Sequence, residues 1–239
     1  MEKEPGRLYV VPTPVGNLGD FTFRAIETLK HVTYIYAEDT RTTGVLLKKY
    51  AIDTPLRAFH SFNEHKQIEP ILEVVKSGND IALVSDAGTP GISDPGYLLV
   101  HHLNESGVEV TCLPGPTALI PALVMSGLPA DKFYFEGFLP HKKGRQTRLQ
   151  AICEMPCTVI LYESPFRLMK CIEELIEIAG EERPCCIVRE ISKIHEQAIT
   201  ASLGTLLHKL KSGKIPAKGE IVLVLGGKPN EKKSRSLNK

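Results

Sequence analysis

The stretch IALVSDAGTPGISDPG, residues 81–96, holds the densest set of groups able to grip a small molecule. Its Ser85, Asp86, Thr89, Ser93 and Asp94 offer hydroxyl and carboxylate contacts, and its glycines let backbone amides come close to a ligand. From 85 to 96 the loop runs to twelve residues, longer than most strand-to-helix connections and more than a turn with a helix cap requires. A second polar knot, AEDTRTTG at 37–44, places Glu38, Asp39 and Arg41 within four residues. Asp39 and Thr40 could cap a helix, but three charged groups at a strand's end exceed what a cap needs and can hold or move charge. PTPVGNLGD, residues 12–20, looks like a phosphate loop. Its glycines follow neither the dinucleotide nor the Walker spacing, and no Lys-Ser or Lys-Thr pair comes after, which argues against a nucleoside triphosphate. Positive charge gathers in His141, Lys142, Lys143, Arg145 and Arg148, and again in the tail KPNEKKSRSLNK.

The elements that must position these groups follow from the apolar pattern. Residues 81–84 form a short apolar run of the kind buried on both faces of a sheet. Further strands are expected over 8–11, 33–36, 56–59 and 108–113. Helices are expected over 21–30 and 63–77, after AEDTRTTG, and opening at Pro95 and at Thr117. Three loops rich in Gly and Pro thus end parallel strands of one sheet and converge on one edge, where an open α/β sheet binds its ligand. The composition breaks at GLPADK, residues 127–132, a plausible linker. Strands over 133–136, 158–162, 185–189, 198–203 and 220–225, with helices after HKKGRQTRLQ begins and over 165–179 and 205–211, then form a mixed sheet. The expected organisation is an N-terminal α/β domain over 1–126, a linker over 127–132, a C-terminal α/β domain over 133–226 and a basic disordered tail over 227–239. Residues 1–7 are polar and expected to be loose.

Bulk properties narrow the class. Among 239 residues, 29 Lys and Arg stand against 28 Asp and Glu, so a nucleic-acid partner has to be argued from local clusters. Cys112, Cys185 and Cys186 fall in strand-like runs and Cys171 on the apolar side of a helix, which makes them buried small hydrophobes. Cys153 and Cys157 lack a second pair of ligands at zinc spacing, so no metal is expected. With no signal peptide and no apolar run of membrane length, the expected compartment is the cytoplasm, with reduced thiols.

Taken in order, PTPVGNLGD, AEDTRTTG, SDAGTPGISDPG, LPGPTALIPAL, FEGFLP, YESPFR and the segment from Arg189 to Glu196 resemble the tetrapyrrole methylase superfamily. They are most similar to its ribosomal RNA branch, the small-subunit rRNA 2′-O-methyltransferase I family, over roughly residues 7–226. The resemblance implies a two-domain tetrapyrrole methylase-like α/β fold, with a mainly parallel N-terminal sheet and a mixed C-terminal one. It further implies a homodimer that holds S-adenosyl-L-methionine in the interdomain cleft and methylates the ribose 2′-hydroxyl of a cytidine in the decoding region of 16S rRNA. Members often carry a further C-terminal helical segment where this chain has a short basic tail.

Methyl transfer from a sulfonium is an in-line displacement, so aligning donor and acceptor matters most, helped by a base or by charges that stabilise the developing alkoxide. On the resemblance, the donor falls to Pro14, Ser85, Asp86, Ala87, Gly88, Ile92, Ser93, Thr117, Ala118 and Tyr162. Asp86 balances positive charge, loop amides take the carboxylate, and Tyr162 or Ile92 packs on adenine. The acceptor side is assigned to Asp39, Arg41, Glu163 and His195, with Glu163 or Asp39 as base. Lys142, Lys143, Arg145, Arg148, Arg167 and Lys193 are assigned to the rRNA or the small ribosomal subunit. No DNA or membrane partner is expected. Two alternatives stay open: a small-molecule methylase acting on a tetrapyrrole, and a non-catalytic RNA- or nucleotide-binding module on the same fold.

Overall fold

A computed structural model describes residues 4–229, and these form two compact units that divide between Thr117 and Ala118. The first unit alternates strand and helix: β1 (Arg7–Val10), α1 (Phe23–His31), β2 (Tyr34–Ala37), α2 (Thr40–Lys49), β3 (Leu56–Ala58), α3 (Glu64–Lys76), β4 (Ile81–Val84), α4 (Tyr97–Glu105) and β5 (Glu109–Cys112). The strands lie in the order β3-β2-β4-β1-β5, every neighbouring pair parallel. Strand side chains alternate between faces, so β4 splits its apolar run. Ile81 and Leu83 pack with Ile71 and Val75 of α3 and Leu99 and Leu103 of α4. Ala82 and Val84 pack with Ala25 and Leu29 of α1 and Leu47 of α2. Having helices on both faces is what requires a four-residue run with no polar member.

The second unit contains α5 (Leu119–Ser126), β6 (Phe133–Phe138), α6 (Arg145–Glu154), β7 (Thr158–Glu163), α7 (Leu168–Ala179), β8 (Pro184–Arg189), β9 (Gln197–Ser202), α8 (Leu203–Lys211) and β10 (Ile221–Leu225). Its order is β6-β7-β10-β8-β9. β6 and β7 are parallel and the remaining pairs antiparallel, the mixed sheet that the close succession of strands implied. Leu149 of α6, Ile172 and Leu175 of α7 and Leu206 of α8 cover one face. Ala122 and Leu123 of α5 cover the other, against Ile160, Cys186, Val188, Val222 and Val224.

Three expectations need correction. The division falls ahead of α5, not at 127–132, because α5 buries its apolar side on the second sheet. Order begins before residue 8: the Gly6 amide donates to the Val75 carbonyl and the Arg7 amide to Asp80 Oδ1, both at 2.8 Å. Cys112 is exposed, whereas Cys171, Cys185 and Cys186 are buried as expected. Burial pushes the Cys171 thiol up to about 12, which suits an inert core residue. Most of the basic tail, residues 230–239, lies outside the described residues. No helix among the described residues is long and apolar enough to cross a membrane.

Candidate functional site

In the first unit, the loops leaving β1, β4 and β5 are laced together. Thr13 and Gly88 form an isolated antiparallel bridge, each amide donating to the other's carbonyl at 2.9 Å. The Thr13 hydroxyl donates to the Ser85 carbonyl at 2.9 Å, and the Ser85 hydroxyl donates to the Gly88 carbonyl at 3.1 Å. The third loop joins through the Thr89 hydroxyl, which donates to the Pro116 carbonyl at 3.2 Å. Gly88 has φ of 82°, in the left-handed region where a side chain is strained. At Gly115 a Cβ would stand 2.8 Å from the Pro12 ring, so the first and third loops touch there.

This lacing sorts the residues assigned to a donor. Ser85 is buried, and its hydroxyl and the Gly88 amide are spent on the scaffold. Asp86, Ala87, Ile92 and Ser93 are exposed or half-exposed on the rim of the same loop, with Pro14 and Thr117 half-buried nearby in sequence to its partners. Ser93 itself holds φ of 64°, backbone strain in a non-glycine residue that the surrounding loop has to sustain.

Beside these loops stand four acids. The Asp39 carboxylate caps α2 by accepting from the Arg41 amide at 2.8 Å, and the Arg41 side chain grips it through Nε at 3.0 Å and a terminal nitrogen at 2.6 Å. The Arg41 guanidinium holds its carboxyl down to about 2. Such a group stays a fixed anion and makes a poor base near neutrality. The Asp39 amide donates to Asp86 Oδ1 at 3.1 Å, tying the end of β2 to the loop after β4. Burial raises the proton affinity of Glu38, and the Asp86 charge raises it further. Burial, then Glu38 and Asp86, brings Asp94 up to about 6. The sequence points to Glu38 and Asp94 as loop carboxylates able to meet a ligand without giving either a role in donor or acceptor binding, since partial burial beside like charge does not show in the spacing of residues. A pocket of about 380 Å³ opens here, lined by Glu38, Asp39, Arg41 and, from the segment after β3, His60, Ser61 and Phe62.

In the second unit, register brings the remaining assigned residues to one end of the sheet. Glu163 of β7 and Arg189 of β8 both pair with Ile221 of β10, and Phe138 of β6 pairs with Tyr162. The segments after Phe138, after Glu163 and after Arg189 therefore leave the same end, carrying Lys142 and Lys143, Arg167, and Lys193 and His195. Lys142, Lys143 and His195 are exposed. Phe166 and Ile194, 96% and 97% exposed, stand on the second and third segments.

Burial and pairing count against two assignments. Arg145 is no surface cation. It is 6% exposed, donates through Nε to Glu174 Oε2 at 2.8 Å and through Nη1 to the Pro140 carbonyl at 3.2 Å, and lies 3.7 Å from Glu163. Glu163 is 2% exposed and accepts from the Ser164 amide at 2.7 Å and Arg167 Nε at 2.9 Å, which leaves it no open approach as a base. It projects to the α6 and α7 face, whereas Tyr162, its strand neighbour, packs with the α5 face and edge-on to Phe135 and Phe138. Arg148 is held by Glu136 at 2.5 Å, and Lys193 by Glu190 and Glu220 at 3.2 Å each. Both cations are already paired.

A parallel sheet with laced glycine loops at its carboxyl edge, joined to a mixed sheet, defines a two-domain α/β methylase architecture. The family described as Tetrapyrrole (Corrin/Porphyrin) Methylases matches residues 7–207. Uroporphyrin-III-C-methyltransferase from Thermus thermophilus superposes with a TM-score of 0.64 at 19% identity, covering 92% of this chain and 94% of that one. A structure of a Thermus thermophilus enzyme of that name, complexed with S-adenyl homocysteine, gives 0.63 at 21% identity, with 92% and 97% covered. At such identities the likeness is one of fold. Much nearer in sequence is ribosomal RNA small subunit methyltransferase I of Escherichia coli O157:H7, 48% identical over 95% of this chain and 79% of its own length. The protein of that name from Thermotoga maritima is 44% identical over 93% of this chain and 99% of its own. This chain belongs to the tetrapyrrole methylase family and, within it, to the ribosomal RNA small subunit methyltransferase I family.

Proposed function

We propose that the protein is an S-adenosyl-L-methionine-dependent methyltransferase of small-subunit ribosomal RNA that modifies the ribose 2′-hydroxyl of a cytidine in the decoding region. The observation that carries this reading is 48% identity with a ribosomal RNA small subunit methyltransferase I over 95% of the chain. The residues of the first unit fit the donor. Asp86 keeps an exposed carboxylate for a positive charge, Ala87 and Ser93 offer accessible loop backbone, Ile92 is 37% exposed for an apolar contact, and Gly88 leaves the loop without a side chain at its crossing point. When bound, S-adenosylmethionine supplies a methyl carbon made electrophilic by its sulfonium. Ala118 and Tyr162, assigned to the donor by the resemblance, belong to the second unit.

On the acceptor side, Asp39 and Arg41 act as a fixed ion pair whose remaining guanidinium donors face outward, able to hold a phosphate or a developing oxyanion. Among the carboxylates, Asp94 at about 6 has a proton affinity suited to taking the hydroxyl proton near neutral pH. Lys142 and Lys143 supply exposed charge for the RNA backbone, and His195 lies exposed at the same sheet end. A homodimer in the cytoplasm is part of the same reading. Incubating small subunits that lack the modification with labelled donor, then hydrolysing in alkali, tests it. Label in an alkali-resistant dinucleotide beginning with cytidine is expected. Label on a free base, or transfer only to a porphyrinoid, overturns it.

A further inference from the structure

The pocket at the ends of β2 and β3 contains a buried polar atom that the protein leaves without a hydrogen-bond partner. Its volume is about 380 Å³. Glu38 lines it half-exposed from the end of β2, and no hydrogen-bond donor among the described residues reaches that carboxylate; burial and the Asp86 charge raise its affinity for protons, and the nearby His60 opposes them. His60 lines it from the segment after β3, and its Nδ1 is buried without a hydrogen-bond partner. A buried ring nitrogen without a partner costs stability where it stands, and a ligand that pairs with it recovers that cost. Phe62 stands at the rim, 93% exposed, and meets the His60 ring edge-on at 6.1 Å. Arg41, also in the lining, has a side chain 90% exposed although its guanidinium grips Asp39. The pocket thus combines an acceptor, an exposed aromatic face and an outward cation.

We infer that this pocket reads the target nucleotide: Glu38 accepts from the exocyclic amino group of the base, Phe62 stacks on its ring, and Arg41 meets its phosphate. The assignment rests on the reading of the protein as an rRNA methyltransferase. Carboxylates accept from the N4 amino group of cytosine, whereas uracil presents a carbonyl there, and aromatic stacking on an unstacked base tolerates either ring. Glu38 is therefore the discriminating residue and Phe62 the one that adds affinity. A metal is a poor occupant, because no group of three or more His, Cys, Asp or Glu among the described residues is arranged to hold one.

The test uses the full chain and small subunits reconstituted with 16S rRNA bearing cytidine or uridine at the methylated position. The parent is expected to favour cytidine, and Glu38→Gln, whose amide can donate to a carbonyl, to shrink that preference roughly tenfold. Phe62→Ala should raise KM for subunits roughly tenfold with donor affinity by calorimetry unchanged, and Phe62→Tyr should restore it. Phe62 is so exposed that its replacement leaves the core intact, so the second arm stands even where Glu38→Gln folds poorly. Parental cytidine preference in a folded Glu38→Gln, or a parental KM in Phe62→Ala, overturns the pocket assignment while the methyltransferase reading survives. A parent that methylates neither subunit defeats the methyltransferase reading, and the assignment with it.

Discussion

Charged groups are handled in opposite ways at the end of the second sheet and at the carboxyl edge of the first. In the second unit, Arg145, Glu163, Arg167 and Glu174 are ion-paired with one another, although Arg145 Nη2, Glu163 Oε2 and Arg167 Nη1 make no hydrogen bond, and Arg148 and Lys193 are paired with glutamates. In the first, Glu38 and His60 Nδ1 have no hydrogen-bond partner among the described residues and Asp94 is pushed to about 6. Removing a charge from water is costly, and pairing within the chain turns that cost into architecture. Where the chain withholds the partner, the group stays available to a ligand. A motif dense in charge is therefore read by whether its charges are spent: in YESPFR Glu163 and Arg167 pair with each other, and in AEDTRTTG Asp39 and Arg41 pair while Glu38 accepts no hydrogen bond among the described residues.

The sharpest way to break this contrast is to unpair the second unit. Glu163→Ala strands Arg167 and leaves Arg145 with Glu174 alone, and should cost about 3–5 kcal/mol in chemical denaturation. A loss below about 1 kcal/mol would show that Glu163 is not the hub of the network. Strain at the lacing of the first unit comes next. Gly88→Val places a β-branched residue at φ of 82° and should destabilise by about 1–3 kcal/mol. It should also weaken S-adenosylmethionine at least tenfold by calorimetry, whereas Glu163→Ala below its melting temperature should bind the donor as the parent does.

Asp94 tests the first region by pH. Its folded proton affinity lies above the ordinary 3.8, so its contribution favours the fold below that value and is lost as pH rises through about 6. Because the group is only half-buried, the loss is on the order of 1 kcal/mol after solvent screening. Urea midpoints of Asp94→Asn should gain on those of the parent between pH 4 and pH 7; parallel profiles would remove Asp94 from the strained acids. The smallest effect on stability belongs to Lys142→Ala with Lys143→Ala, within about 0.5 kcal/mol of the parent. The double variant should lower the salt slope of RNA binding by roughly 0.7 for each phosphate it no longer neutralises. An unchanged slope would make this basic segment a solvated face.

The order and type of the elements were legible in the sequence, because apolar periodicity and Gly/Pro punctuation act locally. Residues 81–84 read as a doubly covered strand and form one, and the successive strands after Phe133 read as a mixed sheet and form one. The convergence of the three glycine loops was legible too, since parallel βα units deliver them to one edge. Three outcomes depended on packing between distant segments. Only the tertiary fold assigned α5 to the second unit, because both sheets could have accepted its apolar side. Only register and alternation turned Glu163 away from Tyr162 and into reach of Arg145 and Arg167. Burial beside other acids then distinguished Asp39, held down to about 2 by an adjacent arginine, from Asp94, brought up to about 6. A residue's type sets what it can do, and the dielectric and partners around it, which come from segments far away in the chain, decide what it does.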